Sequence, residues 1–412
     1  MKKNSNKSQP ARVLVVMSDT GGGHRAAAEA IQAAANQRYP GELEFNLVDV
    51  FRYYTPVPFR FSPEIYPAWV NYAPQTWYLT YAMTNGHLRS KWMVEFFFWY
   101  WQRGIRRMLR EHPADLVVAV HSIINRPVMK AIQELPAETR PPCITVVTDL
   151  VSTHAFWYEK NIDRCLVATQ PAYDRGLEFG LTPEQLRITG LPVHPKFMEG
   201  LVSKAEARQE LGLDADLPAV LLVSGGEGMG PLYNIAQAIN QKKLPCQLLI
   251  VAGRNDKLRG QLNLNEWNQP THIYGFVDFM PRLMAASDML VTKAGPATIS
   301  EACMAGLPII ISGAVPGQED GNIELVVQNG IGVFAPGPQE AASTVEAWLR
   351  EGSDELQRRS KNARTIARPD AVWDIVDEIH RFAHFFQLPV SEVQPASGQF
   401  VVFPHGMNSQ AD

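Results

Sequence analysis

A chain of 412 residues is long enough for two domains with full cores, and 46% hydrophobic against 19% charged residues excludes a disordered polymer. A net charge of -4 gives no reason to expect a nucleic-acid partner. Four scattered cysteines (Cys143, Cys165, Cys246, Cys303), with no C-x-x-C, exclude a disulfide scaffold and read as buried small hydrophobes in a reducing compartment.

From the N-terminus, residues 1–10 are polar and basic, with no targeting segment, and no later stretch approaches the roughly 20 apolar residues that span a bilayer. The expectation is a cytoplasmic protein that can still sit on a membrane surface. Strand signals at 12–17, 44–48, 115–120, 143–148 and 164–167 alternate with helix signals, the first helix at 25–37. The scheme repeats after residue 219, with strands near 219–223, 247–252, 271–274, 289–292 and 308–311. This is an α/β pattern of parallel sheets with helices on both faces. A segment rich in Pro and Gly, 186–197, marks the expected boundary between a first domain at 12–195 and a second at 196–388, followed by an irregular tail at 389–412.

Three times a strand runs into a glycine-containing turn and then a helix: at Gly21-Gly22-Gly23-His24, at Gly225-Gly226-Glu227-Gly228-Met229-Gly230, and at Lys293-Ala294-Gly295-Pro296. Glycines let the backbone approach a ligand, and a helix start offers free N–H groups and a positive dipole end, a combination that holds anions. The first two copies, about 200 residues apart, suggest two domains facing one cleft. His24, at a helix start, is placed to act as a base, because the dipole opposes its protonation beforehand. Lys293, the free N–H groups and the Thr298 hydroxyl suit a diphosphate leaving group, and Glu301, one turn on, suits ribose hydroxyls. The polar turn 316–322, with Gln318, Glu319 and Asn322, suits the hydroxyls of a sugar. Asp149, His154, Trp157 and His121 follow first-domain strands and face the same cleft, either as acceptor contacts or as structural groups. Gly21 to Ala26 also fits G-x-G-x-x-A, with Asp49 where a ribose-binding acid belongs, so a dinucleotide reading stands as a rival. Asp214-Ala215-Asp216 sits in a turn ahead of a strand, away from the cleft, and no His/Cys cluster has metal spacing, so no metal is expected.

One segment breaks the pattern. Eighteen of the 39 aromatic residues lie between Phe51 and Trp101, and from Arg89 to Arg110 there are six Lys/Arg against the single Glu95. The insertion at 51–110 reads either as a docking surface for an anionic membrane or as the packed core of a helical hairpin with a solvated basic face.

SDTGGGHRAAAEAI (18–31), GGEGMGP (225–231), KAGPATISEA (293–302), GLPIIISG (306–313) and PGQEDGN (316–322), in this order, resemble the monogalactosyldiacylglycerol synthase family over about 12–340. The resemblance implies two Rossmann-like doubly wound domains facing a cleft, the GT-B architecture. It implies inverting transfer of a hexose, galactose or glucose, from a UDP-sugar to diacylglycerol without bound metal, with donor in the second domain and lipid acceptor in the first. It puts the nucleotide base against Phe276 and Val277. The diphosphate falls on Gly225, Gly226, Glu227, Gly228, Met229, Gly230, Lys293, Ala294, Gly295 and Pro296, the ribose on Glu301, and the hexose on Gln318, Glu319 and Asn322. His24 becomes the candidate base, with Gly22, Gly23, Asp149, His154 and Trp157 on the acceptor side. A UDP-sugar 2-epimerase of the same architecture is the other rival.

Overall fold

The computed structural model describes residues 9–20, 22–226, 228 and 230–385, without the side chains of residues 71, 87, 88, 90–92, 94 and 385. Glu227 and Met229, and the expected tail at 389–412, lie outside the described residues.

Two six-stranded sheets form the frame. The first contains β1 (Ala11–Met17), β2 (Leu43–Asp49), β3 (Leu116–Ala119), β4 (Cys143–Val146), β5 (Arg164–Val167) and β6 (Leu186–Ile188), in the order β2-β1-β3-β4-β5-β6. The second contains β7 (Ala219–Val223), β8 (Gln247–Val251), β9 (Thr271–Tyr274), β10 (Met289–Lys293), β11 (Ile309–Gly313) and β12 (Gly332–Phe334), in the order β12-β11-β10-β7-β8-β9. Every described strand pair is parallel. The sequence explains this. Strand residues alternate between two buried faces: Leu14 and Val16 enter one core while Val13, Val15 and Met17 enter another, and Leu221 and Val223 oppose Val220 and Leu222. A strand apolar on both faces needs helices on both sides, which is the doubly wound arrangement. Only β6 and β12, three residues each, carried too short a signal to be expected.

In each sheet the order reverses around its first strand: β1 lies between β2 and β3, and β7 between β8 and β10. Loops leaving the carboxyl ends at such a reversal diverge and open a crevice. The glycine turns after β1, β7 and β10 all emerge there.

The closing helix, Ala371–Phe385, departs from the expected second domain at 196–388. Its stripe Val372, Ile375, Val376, Ile379 and Ala383 packs into the core beneath β1, with Ala28, Ile31 and Ala35 of the helix Gly23–Arg38. The i, i+3/i+4, i+7 spacing makes one apolar face, and that face is buried against the first sheet. Tyr39 Oη donates to Asp377 Oδ1 at 2.9 Å, and Arg164 Nε lies 3.0 Å from Glu378 Oε2, which fixes the helix at both edges. All four cysteines are buried free thiols.

The insertion at 51–110 is helical: Val50–Tyr54, Ser62–Tyr72, Pro74–Thr84 and His87–Glu111, with a short turn at Phe59–Phe61. Helical geometry divides the run FFFWYW. Trp101 is buried and Phe97 stacks on it at 4.8 Å, whereas Phe96, Trp99 and Tyr100 face outward. Among the described residues no helix is long and apolar enough to cross a membrane.

Candidate functional site

Gly22 takes a left-handed conformation (φ 76°) as the N-cap of the helix Gly23–Arg38, which lifts His24 to the carboxyl end of β1. His24 Nδ1 lies 2.9 Å from Thr148 Oγ1, beyond β4, and its ring is 4.4 Å from His121, beyond β3, and 6.2 Å from Trp157. Three strand ends thus converge on one imidazole. Burial pushes His24 down to about 4, offset in part by the Val120 carbonyl, which favours the protonated ring. The direction is the one expected at a helix start, but the cause is desolvation. His24 is therefore neutral, with a lone pair available, across the physiological range. His121 is buried, bonded through Nε2 to Thr20 Oγ1 at 3.0 Å, and held far below the usual histidine range by burial and by the nearness of His24.

Asp49, the acid of the dinucleotide reading, is buried with both oxygens committed: Oδ2 accepts from the Asp19 N–H at 3.1 Å and Oδ1 from the Arg52 N–H at 3.0 Å. It caps the helix Val50–Tyr54 rather than presenting itself to a ribose. Asp214 likewise accepts from the N–H groups of Asp216 and Leu217 and closes a turn. His154 is also bound within the protein: its Nε2 meets Thr84 Oγ1 at 2.9 Å and its Nδ1 accepts from the Phe156 N–H at 3.1 Å. Of the expected acceptor-side groups it is the one whose ring nitrogens are both engaged, because it caps the turn Ala155–Trp157 and anchors the insertion. That turn aims Trp157, whose Nε1 donates to Asp149 Oδ2 at 2.6 Å. Burial raises Asp149 to about 6, with the Trp157 and Gln318 bonds opposing the rise.

In the second domain the loop after β7 and the turn after β10 are neighbours because β7 and β10 are paired. Lys293 extends between them. A Cβ on Gly225 would lie 3.8 Å from its Cε, and one on Gly295 would lie 3.4 Å from its Nζ. Lys293 Nζ bonds Glu319 Oε1, and Glu319 Oε2 accepts from the Val315 N–H at 2.8 Å, so the buried carboxylate is fixed. Asn322 donates to the Ala294 carbonyl at 2.9 Å. The helix Pro296–Ala305 starts at Gly295 with no side-chain cap, leaving its first N–H groups directed at the crevice, with Thr298 half-buried in its first turn. Glu301, on the same helix, has no hydrogen bond or ion pair among the described residues, and burial pushes it up to about 7. Phe276 is exposed beside the half-buried Val277, and the Arg254 guanidinium lies over its ring at 4.1 Å.

Sequence reasoning missed Arg254 and Tyr66. Arg254 follows Gly253 at the carboxyl end of β8, and its N–H bonds the Gly226 carbonyl at 2.8 Å; that position beside the switch point was the available signal. Tyr66 comes from the insertion and donates to Gln318 Oε1 at 3.2 Å, a long-range contact that nothing in the sequence announces. Gln318 Nε2 in turn reaches Asp149 Oδ1 at 3.5 Å, and the Gly321 N–H bonds Ser152 Oγ at 2.8 Å. A series of contacts therefore crosses the cleft: His24, Trp157, Asp149, Gln318, then Glu319 and Lys293.

Protonation of Glu301 gives a test. If Glu301 meets a nucleotide ribose, as the sequence leads one to expect, the ribose hydroxyls donate best to the ionised carboxylate, so UDP affinity should rise several-fold between pH 6 and pH 8, through the value of about 7. The terminal phosphate of UDP also titrates near pH 6, so the comparison is with Glu301→Gln, which should bind more weakly and lose the part of the pH dependence above 6.5. Calorimetry across that range reads it. A Glu301→Gln profile parallel to that of the unaltered protein would remove the carboxylate from the ribose site.

Residues 24–193 match the family model described as "Monogalactosyldiacylglycerol (MGDG) synthase", and residues 220–371 match "Glycosyltransferase family 28 C-terminal domain". The chain is 39% identical over 377 residues to monogalactosyldiacylglycerol synthase, chloroplastic, of Spinacia oleracea, covering 90% of this chain and 72% of the relative. It is 38% identical over 379 residues to monogalactosyldiacylglycerol synthase 1, chloroplastic, of Arabidopsis thaliana, covering 90% and 71%. Among solved structures, MurG of Acinetobacter baumannii superposes with a TM-score of 0.61 at 16% identity, over 90% of this chain and 100% of that one. The UDP-GlcNAc 2-epimerase of Neisseria meningitidis bound to UDP-GlcNAc gives 0.56 at 13%, over 90% and 100%. These two likenesses establish the GT-B fold and do not separate transferase from epimerase.

Proposed function

Because the chain belongs to the monogalactosyldiacylglycerol synthase family, we propose that it is a UDP-sugar glycosyltransferase that moves galactose from UDP-galactose to the free hydroxyl of diacylglycerol with inversion at the anomeric carbon. The observation that carries this reading is the pairing of two half-sites across one cleft. A neutral histidine stands at the first sheet's switch point, and a lysine with an uncapped helix start stands at the second's. Neither half alone performs a transfer; facing each other they can deprotonate an alcohol and stabilise a departing diphosphate.

In this reading the diphosphate lies on the 225–230 loop and on Lys293, Ala294, Gly295 and Pro296, with Thr298 beside it. The base meets Phe276 and Val277, with Arg254 at the junction, and the ribose meets Glu301. Gln318, Glu319 and Asn322 hold the hexose. With its Nδ1–H donated to Thr148 Oγ1, His24 carries its lone pair on Nε2 and accepts the hydroxyl proton as the oxygen attacks the anomeric carbon and the bond to UDP breaks. Gly22, Gly23, Asp149 and Trp157 line the acceptor side. No metal takes part, since the leaving charge is met by Lys293 and backbone N–H groups. Incubation with diacylglycerol vesicles and UDP-galactose, UDP-glucose or UDP-N-acetylglucosamine in turn, with products read by mass and proton coupling, tests the reading. Galactolipid with a β linkage is expected; no glycolipid from any donor would overturn it.

The acceptor is a lipid, and the insertion is suited to meet it at an anionic membrane surface. Tyr72, Trp99, Leu79, Val57 and Met83 are all more than half exposed, and Arg89, Arg103 and Arg110 make no ion pair among the described residues. Arg106 and Arg107, by contrast, are engaged with Glu134 and Glu111. Apolar side chains beside free cations fit a headgroup layer. Sedimentation with vesicles should show binding to anionic but not to zwitterionic lipid, weakened by salt, and lost in Leu79→Glu/Trp99→Glu with UDP affinity unchanged. Equal binding of that variant would return the surface to ordinary solvated packing.

A further inference from the structure

His380 and His384 lie one helical turn apart on the closing helix Ala371–Phe385, so their rings share one face. This spacing, H-x-x-x-H, suits two imidazoles on one metal ion and departs from the expectation that no histidine cluster has metal spacing. Against the pair the fold brings Glu42, from the turn just before β2. His380 Nε2 is 2.8 Å from Glu42 Oε2 and His384 Nε2 is 3.9 Å from the same oxygen, while the two rings are 4.4 Å apart. One ligand atom from each of the three residues falls within 4.8 Å of the others. Tyr39 stacks on His380 at 3.7 Å with an interplanar angle of 9°, which fixes the orientation of that ring.

We propose that Glu42, His380 and His384 form a structural binding site for one divalent transition ion of the zinc class. Two imidazoles and one carboxylate are the donors that zinc, nickel and copper favour, and zinc bonds of about 2.0–2.2 Å place such donors on one face of a tetrahedron with a fourth position for water. The site is remote from the reaction. Glu42 precedes β2, at the amino end of the first sheet, whereas the cleft opens at the carboxyl ends. The ion would instead clamp the helix Ala371–Phe385 to the first domain, joining residues separated by 338 positions. Because that helix follows the second domain in sequence and packs on the first sheet, the clamp also links the two halves of the molecule. The calcium and magnesium class is disfavoured by the two nitrogen donors.

The test uses the untagged full chain, stripped by a chelator and titrated with zinc alone. One equivalent should bind and raise the unfolding temperature, since a ligand stabilises only through the native state. Cobalt at the same site should give the visible absorption of a tetrahedral centre. His384→Ala and Glu42→Gln should each weaken zinc binding roughly tenfold or more, with UDP binding retained as the check on folding. Glu42 is exposed, so Glu42→Gln decides the matter if the histidine variant fails to fold. Absence of zinc uptake by the unaltered protein, or unchanged zinc affinity in folded Glu42→Gln, would overturn the proposal.

Discussion

Replacing His24 with alanine should lower turnover by about 10²–10⁴-fold, the usual worth of a positioned general base, while UDP binds as before. The hydroxyl of a lipid alcohol is far too weak an acid to ionise in advance, so its proton must leave as the carbon–oxygen bond forms. His24 is neutral because burial holds it at about 4, and Thr148 fixes one ring nitrogen. A base of that strength is weak in the free enzyme, but the negative charge of a bound UDP-sugar across the cleft favours the imidazolium that forms. The loss should therefore fall on kcat rather than on the KM for UDP-sugar. His24→Gln, which keeps a polar side chain but cannot take the proton, should be equally inactive. Wild-type turnover in either variant would remove His24 from the role of base.

Lys293→Met should be the second severe lesion, with kcat reduced about 10²–10³-fold, as for loss of one donor to a developing charge. With the diphosphate placed as proposed, UDP binding should also suffer, because the ammonium would meet it in the ground state as well. Stability should fall too. Lys293 partners Glu319, whose carboxylate is buried, and an unpartnered buried charge costs up to about 3–5 kcal/mol. Since the lysine side chain is a quarter exposed, the loss belongs at the lower end or below it. The double variant Lys293→Met/Glu319→Gln removes the orphaned charge and should recover thermal stability without recovering transfer. Recovery of activity along with stability would show that Lys293 acts only by supporting the fold.

The fold was legible in the strands. Runs such as Val13–Met17 and Ala219–Val223 are apolar at every position, and a strand apolar on both faces has few environments other than a sheet covered by helices. The nearness of two of the glycine-containing turns was legible for a related reason: each directly follows a strand, and strand order brings the turns after β7 and β10 together. His154 and Asp49 show where local reading ran out. Asp49 ends a strand and His154 lies in the loop that follows one, where a ligand-binding group would be, yet each spends its polar atoms on N–H groups and a hydroxyl of its own chain. Periodicity reports which residues face inward; it does not report how a buried polar atom is satisfied.

The order of strands and glycine turns determined, from sequence alone, two doubly wound parallel sheets with glycine turns at their strand ends, because those features depend on contacts between near neighbours and on strand pairing rules. Tertiary structure alone decided that Tyr66 of the insertion reaches Gln318 and that Gln318 meets Asp149 across the cleft. It also decided that the helix Ala371–Phe385 returns to the first sheet and places His380 and His384 against Glu42. Those contacts join positions about 170 to 340 residues apart. Which apolar stripe covers which open face is set by the shape and burial of the whole assembled core, a quantity that no local window of the chain contains.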